Sequence, residues 1–143
     1  MENILVASTN LYGIAAIINC YKHRNLFDGI MIAMPMIAST FYHLAEHSKH
    51  FMPGFAMHKF ERKMLNYDRF FAVISMAYFG IKYIERIKNS NILIPLIIAM
   101  VSGYISEHIK HDHSIESIHK SIYMITHAIW HISLFHIVYI LTK

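Results

Sequence analysis

Five long apolar stretches, separated by short charged links, make up most of this chain. They run over about residues 4–21, 27–45, 69–84, 92–109 and 121–141. Each lies near the ~20 residues that an α-helix needs to cross the hydrocarbon of a bilayer. None alternates apolar and polar residues, so strands are not expected. The pattern predicts an all-α, polytopic transmembrane helix bundle with about five spanning helices.

Composition agrees with this interpretation. Of the 143 residues, 55% are hydrophobic and only 15% are charged, and the mean hydropathy is +0.36. A soluble domain carries about 25% charged residues, and one of this length could not bury so much apolar surface in a single core. A bilayer covers that surface instead. The length predicts one transmembrane helical domain that spans residues 1–143.

The formal net charge of +4 lies in the links between the apolar stretches. Examples are the basic turn at residues 22–25 and the link at residues 85–91. Membrane proteins keep their Lys and Arg residues at such positions, so we expect membrane lipid as the surroundings and no nucleic-acid partner. Basic links fall on both sides of the membrane in similar numbers, so the sequence does not predict the orientation of the protein in the membrane. The chain is expected to be an integral, multi-pass membrane protein.

Polar side chains fall at particular places within the apolar stretches. Ser39 and His43 lie late in the second stretch, and His127 and His131 lie early in the fifth. A spacing of four residues puts each pair on one face of its helix, and two histidines four apart are a common metal-ligand pair. His47, one turn after His43, is a reserve ligand or an interfacial residue.

The order of the spans predicts that these residues share one depth in the membrane. The second span ends on one side, Asp68 opens the third on that side, and the fourth returns there before the fifth begins. Residues late in the second span and early in the fifth therefore lie near the same surface. Polar groups buried in a membrane are costly and usually functional.

Three neutral imidazoles and one open position are typical of a catalytic zinc site. Such a zinc ion activates water for attack on an amide or ester carbonyl. Asp68 could accept the proton of that water, and Ser39 could orient a ligand or stabilise the developing oxyanion. Each residue also has a structural interpretation. The histidines could be hydrogen-bonded within the bundle, Asp68 could cap the third helix, and Ser39 could bond the carbonyl four residues back.

Three sequence motifs resemble a known group of membrane proteins. These are S-T-F-Y-H at residues 39–43, the aspartate at position 68, and H-A-I-W-H at residues 127–131. Together they resemble the pattern of the CREST superfamily, which is Ser-x3-His, then Asp, then His-x3-His on the last helix. That group includes alkaline ceramidases, the progestin and adipoQ receptors, GPI-remodelling lipases and myomaker. The residues of the first and last motifs are most similar to those of myomaker and its relatives.

The resemblance implies a seven-helix fold with a zinc ion held by three histidines, and lipid amide or ester hydrolysis. Carried over to this chain, His43, His127 and His131 would be the metal ligands, with Asp68 and Ser39 acting beside the water. The five predicted spans make it a shortened version of that fold. The predicted function is a zinc-dependent integral-membrane hydrolase with a lipid amide or ester as substrate.

Two other functions are compatible with the same residues. Myomaker-like members act in membrane fusion or remodelling, so the protein could be a non-enzymatic membrane protein or receptor with a structural zinc site. Histidines on two helices, such as His43 and His131, could instead hold the haem of a small b-type cytochrome. A haem normally takes one axial ligand from each helix, so the i, i+4 pair is less natural there.

Overall fold

The computed structural model describes residues 2–46, 58–88, 90–111 and 118–143 of the chain. His47, predicted from the sequence as a reserve ligand, lies outside the described residues. Every regular element among the described residues is helical, which confirms the predicted all-α class. The elements, in chain order, are α1 (Glu2–Thr9), a 3₁₀ turn (Asn10–Tyr12), α2 (Gly13–Lys22), α3 (Leu26–Ala45), a 3₁₀ turn (His58–Phe60), α4 (Glu61–Lys82), α5 (Ile84–Ile87), α6 (Ser90–His111) and α7 (Ile118–Leu141).

Three helical segments are long and apolar enough to cross a membrane. They are Ile4–Lys22, Asn91–Ile109 and Ser121–Leu141. The other two predicted spans do fold as helices, α3 and α4, but among the described residues only those three segments have the required length and apolarity. The polar residues of α3 include Asp28 and His43, and α4 is the least apolar of the long helices. The expected count of five spans is therefore not confirmed.

The first span is one continuous helical segment with a tighter turn in its middle. The 3₁₀ turn at Asn10–Tyr12 joins α1 to α2, and Asn10 at its start is fully buried. A short 3₁₀ stretch inside a helix often marks a functional or strained position. Here it lies beside the polar residues of α3 and α7, because Asn10 contacts Ser39 and the preceding Thr9 contacts His131.

α1 and α2 lie between α3 and α7, with large side chains such as Ile18 exposed on their outer face. α3 packs against α4 on one side and against α1 and α2 on the other, while α7 packs against α6 and against α1 and α2. Gly13 lets the first span approach α7 closely, since a Cβ atom there would lie 2.9 Å from the ring of Phe135. Gly103 does the same for α6, where a Cβ atom would lie 3.1 Å from Trp130. The helices thus follow the order α4, α3, first span, α7, α6.

One end of the bundle is held by the buried carboxylate of Asp28, at the start of α3. Its two oxygens accept hydrogen bonds from Asn25 and Tyr83 on one side and from Tyr78 and Lys82 on the other, each at 2.5 Å. A buried carboxylate is tolerated when it is paired and hydrogen-bonded in this way. The cluster ties the start of α3 to the end of α4, and it lies at the opposite end of α3 from His43.

Candidate metal centre

The three histidines that the sequence singled out lie together in the structure. His43 comes from α3, and His127 and His131 come from successive turns of α7. Their exposed fractions are 0%, 6% and 5%, and one ligand atom from each lies within 4.8 Å of the others. The Nε2 atoms of His43 and His127 are 3.1 Å apart. The three buried imidazoles could therefore hold one metal ion.

The hydrogen bonds of the Nδ1 atoms determine the tautomers of the two α7 histidines. Nδ1 of His127 lies 3.2 Å from the Ser106 hydroxyl, which donates its own proton to the Gly103 carbonyl. Nδ1 of His131 lies 3.1 Å from the Thr9 hydroxyl, which donates to the Val6 carbonyl. Because each hydroxyl donates its proton to a carbonyl, we assign a hydrogen to each Nδ1, which donates it to the hydroxyl. Both Nε2 atoms are then left with a free lone pair.

Glu46 accepts a hydrogen bond from Nδ1 of His43, as the two hydroxyls do from the α7 histidines. Its Oε2 atom lies 3.1 Å from Nδ1 of His43, and both residues are buried. Tyr42 donates to Glu46 at 3.0 Å, and Tyr123 on α7 donates at 3.3 Å. A carboxylate can only accept here, so Nδ1 of His43 carries the hydrogen and its Nε2 also presents a lone pair. Metal-bound histidines commonly donate their second ring nitrogen to a carboxylate, a carbonyl or another oxygen.

This donor set fits a divalent cation. Two nitrogens bound to one tetrahedral zinc ion at ~2.05 Å are about 3.3 Å apart, close to the 3.1 Å between Nε2 of His43 and Nε2 of His127. Two lone pairs at that distance repel each other unless a cation lies between them. One ring nitrogen from each of the three histidines lies within 4.8 Å of the others, so the two helices could supply three of the four positions around such an ion.

A cavity of about 260 Å³ lies beside the histidine cluster. His131, Ser39 and Asp68 all line it. Apart from these residues, Asn10 and Ser75, its lining side chains are apolar or aromatic, for example Phe79, Leu96 and Leu134. The cavity therefore has polar groups next to the candidate metal centre and an otherwise apolar wall. Such a shape suits an apolar ligand whose polar part lies at the histidines.

The structure separates the two interpretations of Ser39. Its hydroxyl lies 3.4 Å from Nε2 of His131 and accepts a 3.1 Å hydrogen bond from the Asn10 amide. The neighbouring Thr40, not Ser39, donates to the carbonyl four residues back. Ser39 therefore faces the candidate centre, at the point where α3, α7 and the first span meet.

The position of Asp68 corrects one expectation. α4 begins at Glu61, seven residues before Asp68, so Asp68 lies inside the helix and is not its N-cap. α4 thus extends about two turns before the apolar stretch that begins near residue 69, and these first turns are charged. Asp68 is half-buried and lies on the cavity wall with Ser39 and His131. Its catalytic role stays a prediction.

Four residues around the centre had no assigned role in the sequence analysis. They are Thr9, Asn10, Glu46 and Ser106. Glu46 follows His43 by three residues, a spacing that places both on one helix face, so this signal was readable. Thr9 and Asn10 are polar residues inside an apolar span, which is a general sign of function. Only the packing of helices shows which histidine each one contacts.

The fold and this cluster define an all-helical protein with apolar, membrane-length segments and a buried three-histidine site able to hold a metal ion. An uncharacterized protein of Acanthamoeba polyphaga mimivirus is 28% identical over 152 residues, covering 100% of this chain and 97% of its own length. No family model matches the chain, and no solved structure matches it. The resemblance to the CREST superfamily therefore stays a prediction carried by the motifs themselves.

Proposed function

We propose that this protein is a zinc-dependent integral-membrane hydrolase that acts on a lipid amide or ester. The observation that carries the proposal is the cluster of three buried histidines, with one ligand nitrogen from each within 4.8 Å of the others, next to an apolar cavity with Asp68 and Ser39 on its wall. Zinc is the metal proposed, because neutral imidazoles in a four-coordinate arrangement suit it and a catalytic site keeps one position open. The apolar part of the cavity would hold the acyl chain of the substrate.

Each residue of the site has a defined task in this proposal. A zinc ion held by His43, His127 and His131 would supply an activated water molecule and polarise the carbonyl. Asp68 accepts the proton of the attacking water and passes it to the leaving group. Ser39, which lies beside His131 and receives a hydrogen bond from Asn10, donates its hydroxyl proton to the carbonyl oxygen as negative charge develops there.

The membrane setting completes the proposal. Three segments have the length and apolarity of spans, and α3 and α4 are proposed as two further spans, which gives five. Many large apolar side chains on these helices face outward, such as Ile81 on α4 and Met100 on α6. In this arrangement His43 and Asp68 lie near the same membrane surface as the start of α7. A lipid could then present its head-group linkage to the site.

Metal analysis and turnover test the proposal together. We expect about one zinc ion per chain in the detergent-purified protein, and none in a His127→Ala His131→Ala variant. Asp68→Asn should keep its zinc but lose turnover of ceramide-like or phospholipid substrates by at least 100-fold, since general base catalysis contributes about 10²–10⁴-fold. Equal zinc content in the wild type and the double variant would rule out the metal site. Normal turnover in Asp68→Asn would rule out Asp68 as the general base.

The same experiment separates the non-enzymatic alternative. A structural zinc site of the myomaker or receptor kind would give the same zinc content with no turnover of either lipid class in any variant. The haem alternative is disfavoured by the geometry. The ring centroids of His43 and His131 are 5.1 Å apart and those of His43 and His127 are 4.8 Å apart, which leaves no room for a porphyrin plane between two axial ligands.

A further inference from the structure

Asn10 carries a buried hydrogen-bonding atom that the protein itself does not satisfy. The residue is 0% exposed and lies at the start of the 3₁₀ turn in the first span. Its Nδ2 atom donates to the Ser39 hydroxyl. Its Oδ1 atom has no hydrogen-bond partner within the described parts of the chain. More than nine-tenths of buried polar groups in native proteins are paired, so this carbonyl oxygen needs an explanation.

The hydrogen bonds around Asn10 determine which way its amide points. Nδ1 of His131 donates to Thr9, because the Thr9 hydroxyl donates to Val6. Nε2 of His131 keeps its lone pair for the metal ion of the proposed site, and the Ser39 hydroxyl, 3.4 Å away, keeps its proton for the carbonyl oxygen of a bound lipid. Ser39 must then accept from its other neighbour, so Asn10 turns its NH₂ group to Ser39 and its carbonyl oxygen away. This chain of donors leaves an acceptor unpaired.

The position of that acceptor indicates its use. Asn10 lines the cavity together with Ser39 and His131, where the other lining side chains are mostly apolar. An apolar wall cannot donate a hydrogen bond to Oδ1, whereas a ligand in the cavity can. A site built to hydrogen-bond one ligand group discriminates strongly against an analogue that lacks the group, because the protein's own buried polar atom is then left unpaired.

We infer that Asn10 is a binding residue that recognises a hydrogen-bond donor on an acyl lipid held in the cavity. The donor is an amide N–H or a hydroxyl close to the point where the acyl chain begins. The inference rests on the cavity of the proposed function, but it concerns binding and specificity and does not require turnover. It predicts that lipids with such a donor bind more tightly than lipids of the same length without one.

The single tryptophan of the chain provides the probe. Trp130 is the only Trp among the 143 residues, and it lines the cavity. Lipids with a brominated acyl chain would quench its fluorescence on contact, so a titration in bromine-free detergent gives a Kd. One pair of probes is a secondary amide and its N-methyl derivative. The other pair is a hydroxyl-bearing lipid and its methyl ether.

We expect the donor-bearing member of at least one pair to bind on the order of tenfold more tightly than its methylated partner. The pair that shows the difference identifies the donor as an N–H or an O–H group. The Asn10→Leu variant should bind both members of that pair with equal Kd. Asn19→Leu is the matched control, because Asn19 lies on the same span but bonds Thr142 near the end of α7, and it should keep the difference.

Equal Kd values within both pairs for the wild-type protein would overturn the inference, and this comparison holds even if Asn10→Leu fails to fold. Discrimination that survives in Asn10→Leu would also overturn it, as would the absence of quenching by every probe. Lipid recovered after each titration is analysed for hydrolysis. A difference in Kd within a pair without hydrolysis would support the role of Asn10 and contradict the proposed enzyme. Hydrolysis without a difference in Kd would support the proposed enzyme and contradict the role of Asn10.

Discussion

At the scale of single residues, the histidine cluster depends on what the far side of each ring contacts. A neutral imidazole has one donor and one acceptor, and the donor is directed away from the cluster in all three rings. Thr9, Glu46 and Ser106 receive these three N–H groups. His43 and His127 then present Nε2 lone pairs 3.1 Å apart, which would be unfavourable in an apolar bundle without a cation. Side chains of α1 and α6 thus orient the candidate ligands, which lie on α3 and α7.

Glu46 is the one charged partner among these three, and its replacement should weaken metal binding. A buried carboxylate behind a ligating histidine raises the basicity of the ring and offsets part of the charge of the ion. We expect Glu46→Gln to reduce zinc affinity by about 10–100-fold in chelator competition. Glu107→Gln, on the exposed face of α6, is the control and should leave the affinity unchanged. An unaltered zinc affinity in Glu46→Gln would show that the contact with His43 has no influence on the metal.

At the scale of helices, a proline in α3 explains a contact with α4. Pro35 lacks an N–H group, so the carbonyl of Met31, four residues earlier, receives no bond from it. The Ser75 hydroxyl of α4 donates to that carbonyl at 2.8 Å. A gap in the hydrogen bonding of one helix is thus filled by a side chain of its neighbour, a common solution within membranes. The pairing fixes α4 against α3 at the wall of the cavity, which both Pro35 and Ser75 line.

A double-mutant cycle tests this coupling between α3 and α4. Ser75→Ala should destabilise the protein by about 1–3 kcal/mol, because it leaves a buried carbonyl unpaired. In a Pro35→Ala background the helix can supply its own bond, so the same Ser75→Ala change should cost much less. The measurement is the apparent melting temperature in detergent for the four proteins of the cycle. Equal effects of Ser75→Ala in both backgrounds would contradict the coupling.

At the scale of the whole molecule, the bundle is joined differently at its two ends. The Asp28 cluster ties α3 to α4 at one end, and the histidine cluster lies between α3 and α7 at the other. Among the described residues, α3 and α7 do not pack extensively against each other, because the first span lies between them. A metal ion at the cluster would therefore be a direct tie between two helices that share few other contacts.

Removal of the metal should consequently loosen the whole bundle. A ligand that binds only the folded state at 100 times its Kd stabilises it by about 2.7 kcal/mol. We expect a strong chelator to lower the apparent melting temperature of the wild-type protein by several degrees, and added zinc to restore it. The His127→Ala His131→Ala variant should show no response to either. A chelator effect of the same size in that variant would place the metal elsewhere.

Much of the site followed from local patterns. The spacing of His127 and His131 puts both on one face of α7, and the order of the spans places His43 at their depth. These inferences need only helical periodicity and the direction of each span, both of which are properties of the chain itself. The apolar stretch that begins near residue 69 does not mark the start of α4, whose first turns are charged, and five spans were expected where three described segments have the required apolarity. Helix boundaries depend on packing and cannot be inferred from hydropathy alone.

The amino-acid sequence alone determined the helical class, the approximate positions of the long helices and the histidines that meet, because periodicity and apolarity act along the chain. The tertiary structure decided which groups surround those histidines. Thr9 and Ser106 reach them from two other helices, and Asn10 reaches Ser39 across 29 positions of sequence. Such contacts arise because the first span packs between α3 and α7. This packing order results from the fit of side chains across the whole bundle.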